Sequence, residues 1–179
     1  VISLINKVTL ISQNLQAAAK LIGGPGSVKR DTEAALAPAD VLVKGLRDIT
    51  FTLSISFPRI SVLSPLPPGC DSDTVVIALI QFVRVHQALL NILIGRAGLL
   101  ETGPIRRDNA MNIDLFERGN AMEAGPIGGL VAGALRGVEG VVDTLAFTLI
   151  KLIPTRSQCA KEQKDAIDRS LTEAIIAYE

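Results

Sequence analysis

The sequence predicts an all-α, single-domain bundle of about five helices, up-down in topology, spanning residues 1–179. Apolar residues recur at spacings of three and four through most of the chain, the helical period. Glycine- and proline-rich breaks at 23–26 (GGPG), 65–69 (PLPPG), Gly103-Pro104, Gly125-Pro126 and Pro154 cut the periodic runs into helix-sized pieces. An apolar fraction of 48% against 20% charged residues supplies one folded core rather than a disordered chain.

The first helix carries Leu4, Val8, Ile11, Leu15, Ala18 and Ile22 on one stripe and stops at GGPG. The second carries Leu42, Leu46, Ile49, Leu53, Phe57 and Ile60, with Pro38 near its start and Pro58 near its end, so it is expected to be kinked or shorter than its pattern. Its β-branched residues would suit a strand, but the 3.6-residue period favours a helix. After PLPPG and Cys70, the side chains of Asp71, Ser72 and Asp73 are expected to cap a third helix, where carboxylates favour the positive N-terminal end. Two adjacent stripes, Val75-Leu79-Phe82-His86-Leu89-Leu93 and Val76-Ile80-Val83-Leu90-Ile94, make this the expected central helix. Residues 101–125 are polar, mixed in charge and bounded by Gly-Pro pairs, and read as a long mobile connection with room for a short helix over Met111 to Phe116. Limited proteolysis is expected to cut there first, after Arg106, Arg107 or Arg118. The fourth helix begins at Pro126 and carries Ile127, Val131, Leu135, Val138, Val142, Leu145, Leu149 and Leu152; the fifth runs from about Gln158 to Tyr178.

Composition excludes several function classes. Eighteen basic residues balance eighteen acidic ones, so no basic field points to nucleic acid. One histidine and two cysteines leave a zinc site short of ligands, and a histidine-based triad has only His86 to use. No catalytic residue, metal or cofactor is expected, and the chain reads as a non-enzyme. Residue 1 already lies inside a periodic pattern, with no basic n-region, so no signal peptide is expected within this sequence. The most apolar windows, about ten residues long, close on Arg84 and Arg136, so no transmembrane segment is expected.

Four features invite a functional reading beside a plain one. Cys70 and Cys159 each stand at a helix start, the third and the fifth, which run parallel in an up-down bundle. A disulfide there would close a loop of about 90 residues, worth roughly 4 to 5 kcal/mol in the chain-entropy picture. Two unrelated buried thiols are the alternative. His86 on an apolar stripe is either a hydrogen-bonded core residue or a group that meets a ligand's head. Gly125, Gly129, Gly133 and Gly137, four residues apart, serve either close helix approach or room for an apolar ligand. The dibasic pairs Lys29-Arg30 and Arg106-Arg107 are either solvated loop charge or processing sites.

GPIGGLVAGALRGVEGVVDTLAFTLIKLIP, a cysteine, and QKDAIDRSLTEAIIAYE, with the opening helix ISLINKVTLISQNLQAAAKLI, resemble the fungal hydrophobic-surface-binding protein A and cell-wall galactomannoprotein family. The chain departs from that family in its length, its 101–125 insertion, Pro58 and PLPPG. The resemblance implies a secreted or cell-wall, helical, non-catalytic protein that adsorbs to hydrophobic surfaces or encloses a fatty acid. The stripes themselves offer Leu53, Phe57, Leu79, Phe82, His86, Gly133, Leu135 and Leu145 as lining residues. The second, third and fourth helices are expected to enclose an apolar cavity or groove where the stripes of the third meet the glycines of the fourth. The alternatives are a secreted effector or toxin acting through contacts with a host protein, with 101–125 as its contact segment, and, only if the cysteines are reduced, an intracellular four- or five-helix adaptor.

Overall fold

A computed structural model describes residues 1–22, 32–97 and 126–179. These residues form α1 (Ile2–Leu21), α2 (Thr32–Ser54), the short α3 (Phe57–Ser61), α4 (Cys70–Ile94), α5 (Pro126–Leu152) and α6 (Ser157–Ala177), and no strand occurs among them. A 3-10 turn, Pro154–Arg156, joins α5 to α6. The five long helices are the expected ones. The connection 101–125, its short helix and both dibasic pairs lie outside the described residues.

The long helices close into a ring. α1 packs on α2 and α4, α6 on α4 and α5, and α2 completes the circuit against α5. At one end Arg156 Nε, just ahead of α6, lies 2.6 Å from Asp73 Oδ1 in the first turn of α4. At that same end the Leu66 N–H donates to the Leu152 carbonyl at 2.7 Å. At the opposite end Arg96 Nη1 donates to the Ile22 carbonyl at 2.8 Å and the Tyr178 hydroxyl to the Leu93 carbonyl at 3.0 Å. α1, α4 and α6 therefore run one way and α2 and α5 the other, an up-down alternation along the chain.

The stripes face inward with one change of register. On α2, α4, α5 and α6 the expected positions Leu46, Leu53, Leu79, Leu89, Leu135, Leu149 and Leu171 are buried. On α1 the buried face is Ile5, Val8, Thr9, Ser12, Leu15 and Ala19, so Leu4, Ile11 and Ala18 sit at its edge. Two hydroxyls enter that face because each donates back to a helix carbonyl: Thr9 to Ile5 at 2.7 Å and Ser12 to Val8 at 3.0 Å.

The proline expectation resolves into a break. α2 begins earlier than its stripe, at Thr32, accommodates Pro38, and ends at Ser54; Pro58 then lies in the first turn of α3, where a missing N–H costs nothing. At α4 the cap differs from the expected one. Gly69, at φ 139°, is the N-cap, and no side chain caps the helix by a hydrogen bond. That φ is one an L side chain rarely adopts. Asp71 and Asp73 occupy the first turn, where the helix dipole favours them. α4 is long and apolar enough to cross a membrane by length and composition, contrary to the ten-residue windows expected. Its apolarity is spent on two neighbours, α1 and α6, and its remaining stripe of Gln81, Arg84 and Asn91 is exposed.

Candidate functional site

Leu53, Leu79, Phe82, Leu135 and Leu145 belong to one apolar cluster that fills the ring. His86 is buried with them, and Phe57 on α3 packs half-buried against its edge. Seven of the eight lining candidates therefore belong to the ring interior or its margin. Gly133 does not; it faces outward.

His86 is the polar centre of this interior and is fully buried. Its ring stacks on Phe82, one helical turn earlier, with centroids 5.4 Å apart and planes 29° from parallel. Nδ1 lies 2.9 Å from Ser12 Oγ on α1. Ser12 Oγ also lies 3.0 Å from the Val8 carbonyl, and assigning its one proton to that carbonyl fixes the rest. The Ser12 oxygen is then the acceptor, so Nδ1 carries the imidazole proton and Nε2 is a bare lone pair. No polar atom among the described residues answers Nε2. Burial pushes the imidazole down to about 4, so the ring is neutral at ordinary pH.

The Ser12–His86 contact is not a nucleophile and base. Ser12 is fully buried and bonded to Val8, and among the described residues no carboxylate orients the ring. Among the described residues no group of three His, Cys, Asp or Glu side chains stands close enough to hold a metal ion.

The expected cavity between the stripes of the third helix and the glycines of the fourth is overturned by the ring order. α4 packs on α1 and α6, whereas α5 packs on α2 and α6. The glycines are offset by two residues from the inward stripe of α5, which turns them about 200° around the helix. They line a recess on the outer surface between α2 and α5, of about 560 Å³, with Gly129, Gly133 and Gly137 as its floor and Arg47, Phe51 and Leu130 among its walls. Close helix approach does not explain them either. Among the described residues, a Cβ at Gly129 or Gly133 would meet nothing within 4 Å, and at Gly137 only Thr50 at 3.5 Å. The tight approach occurs at Gly45 on α2, where a Cβ would fall 2.8 Å from Leu15 Cδ1 of α1.

The expected disulfide is also corrected. Both thiols are free, Cys70 exposed and Cys159 half-buried. The premise of parallel helices holds, since the Asp73–Arg156 pair joins the two N-termini. Cys70 falls on the solvent stripe of α4 with Thr74, Ile77 and Gln81, while Cys159 packs against the core.

Sequence reasoning missed Ser12, Gly45 and the Arg47–Phe51 wall. Ser12 was hidden by the one-step error in the α1 register; its spacing from Val8 and Leu15 was the available signal. Gly45 sits between Leu42 and Leu46 on a helix without other glycines, a further readable sign.

No family model matches the chain, and no curated protein matches it. Among solved structures, the chain is similar to the crystal structure of AfMP4p in complex with palmitic acid, with a TM-score of 0.72. The match spans 99% of this chain and 97% of that one at 16% sequence identity. The likeness establishes the fold: an all-helical bundle of the same architecture, which in AfMP4p accompanies bound palmitic acid.

Proposed function

We propose that this protein is a non-catalytic binder of a long-chain apolar ligand, a fatty acid, held inside the five-helix ring. The observation that carries the reading is the bare Nε2 of His86, an unanswered polar atom in an interior built mainly of aliphatic and aromatic side chains, whose Thr9 and Ser12 hydroxyls are hydrogen-bonded. A buried polar atom without a partner is costly, and an interior that keeps one is suited to a ligand that supplies the missing partner. Leu53, Leu79, Phe82, Leu135 and Leu145 would line the chain, with Phe57 at the margin. A chain of about fifteen buried carbons gains roughly 12 kcal/mol from removal of its surface from water. The fold shared with palmitate-bound AfMP4p supports the same reading.

Gly133 is reassigned to the outer recess and takes no part in the core site. The chain is read as one domain, secreted or held in the cell wall; that placement follows from the sequence resemblance, since the free thiols remove the disulfide argument. Adsorption to hydrophobic surfaces would use the exposed Phe51, Ile55 and Leu130 rather than the core. The effector alternative rests on residues 101–125, outside the described residues.

Native mass spectrometry of delipidated protein mixed with palmitate tests the reading. One adduct per chain, saturating, is the expected result. No adduct with saturated acids from laurate to stearate, or a ladder of several equal adducts, would contradict a single core site.

A further inference from the structure

We infer that the ring interior receives the ligand's carboxyl group as a net-neutral pair with His86, drawing one proton from solvent for each fatty acid bound. The inference rests on the reading of the core as the ligand site and adds the chemistry of its polar end.

The geometry supplies the argument. Nε2 is fully buried, unpartnered and, with the Ser12 proton committed to the Val8 carbonyl, an acceptor. An acceptor needs a donor. A protonated carboxyl donates its O–H to that lone pair; alternatively the proton rests on Nε2 and the imidazolium donates to the carboxylate. In that second form Nδ1–H still donates to Ser12 Oγ and Ser12 to Val8, so the existing hydrogen bonds serve both forms without rearrangement. Either way the complex holds one proton more than the free carboxylate plus neutral imidazole, and that proton comes from water.

The charged alternative fails on magnitude. A fatty carboxylate is ionised at neutral pH, and protonating it at pH 7.5 costs about three decades of affinity, given an ordinary carboxyl pKa near 4.3. Burying it as an uncompensated ion costs far more. Among the described residues no other charge faces the interior to compensate it. α4 packs against α1, α6 and the turn before α6. Lys7 and Lys20 on α1 are exposed. On α6, Lys164 pairs with Asp143 and Asp168, and the other charged residues are exposed. The buried Tyr178 hydroxyl is tied to the Leu93 carbonyl. In the turn, Arg156 pairs with Asp73 of α4, and Asp71 and Arg84 of α4 are exposed. Burial alone sets the state of His86, with no nearby charge contributing.

Laurate, soluble enough for titration, reads this directly. Calorimetry of the delipidated full chain at pH 7.5, in two buffers of different ionisation enthalpy, counts protons taken up per ligand. About one is expected, and the laurate Kd should rise about tenfold per pH unit between about pH 6 and 8. Dodecanol, which donates without ionising, should bind with no proton uptake and no such slope. In ¹⁵N-labelled protein, the His86 Nε2 resonance should shift from its ligand-free position when laurate binds. In His86→Phe, laurate should lose at least tenfold in affinity, while dodecanol loses less. Laurate binding with zero proton uptake, or with an unchanged Nε2 resonance, overturns the inference and leaves core binding standing. Failure of both laurate and dodecanol to bind overturns both.

Discussion

α5 has two faces, and they follow opposite rules. Inward, Val131, Leu135, Val138 and Val142 are buried in the ring, and the space is filled by side chains. Outward, Gly129, Gly133 and Gly137 leave a recess with nothing for a Cβ to meet at the first two. Open volume therefore lies on the outside, while unsatisfied chemistry lies on the inside, at His86. The contrast teaches that room visible in a structure and the place a ligand prefers are separate properties. A recess open to water offers an acyl chain little that water does not already contact, whereas a closed aliphatic interior offers full burial. The outer recess has an arginine at its wall; the inner site has an unanswered lone pair.

The largest effect should come from hollowing the inner face. Phe82→Ala removes a fully buried ring and the surface on which His86 stacks. A loss of about 3 to 5 kcal/mol of stability is expected, read by urea unfolding. A loss below about 1 kcal/mol would mean the interior is loosely filled.

Next comes acid. In the folded chain the imidazole sits at about 4, against 6.5 for an ordinary histidine. Below about pH 6.5 the unfolded state binds a proton that the folded state refuses, so the contribution of neutral His86 is complete above that pH. It is lost progressively as pH falls toward 4, by roughly 3 kcal/mol in all. Unfolding measured in that window should show the slope in the parent chain and lose this component in His86→Phe. An unchanged slope in the variant would place the acid sensitivity elsewhere.

Two glycines give the smallest effects, with opposite signs. Gly45→Ala forces a methyl against Leu15 and should cost about 1 to 3 kcal/mol. Gly133→Ala meets open space and should stabilise by about 0.5 to 1 kcal/mol through helix propensity. Equal responses from the two positions would erase the distinction between the packed and the open glycine.

Much of this was legible in the sequence, and the misses share one cause. Helix number, the breaks at GGPG and PLPPG, and the inward stripes of α2, α4, α5 and α6 follow from apolar spacing, because burial is what that spacing encodes. Which helices meet is not encoded in any one stripe. The expected contact between the third and fourth helices failed because consecutive helices in this ring are not always neighbours: α4 and α5 are separated by α6 on one side and by α1 and α2 on the other. The outward direction of the glycines was readable, since Gly129 and Gly133 alternate with Val131 and Leu135 at a two-residue offset. Cys70 and Cys159 show the same lesson. Their helices were correctly expected to be parallel, but rotation about the helix axis decides whether side chains meet, and the position of a helix start does not report it.

The central claim is that an apolar ligand enters the ring and not the α2–α5 recess. A crystal of the delipidated chain grown with a fatty acid brominated at its terminal carbon tests it most directly, because anomalous scattering locates the bromine without interpretation of the chain density. The account predicts one bromine inside the ring, among side chains of the Leu79–Leu135–Leu145 cluster, with the carboxyl end at His86 Nε2. A bromine over Gly129, Gly133 and Gly137 on the outer face, with the ring interior unchanged, would contradict it.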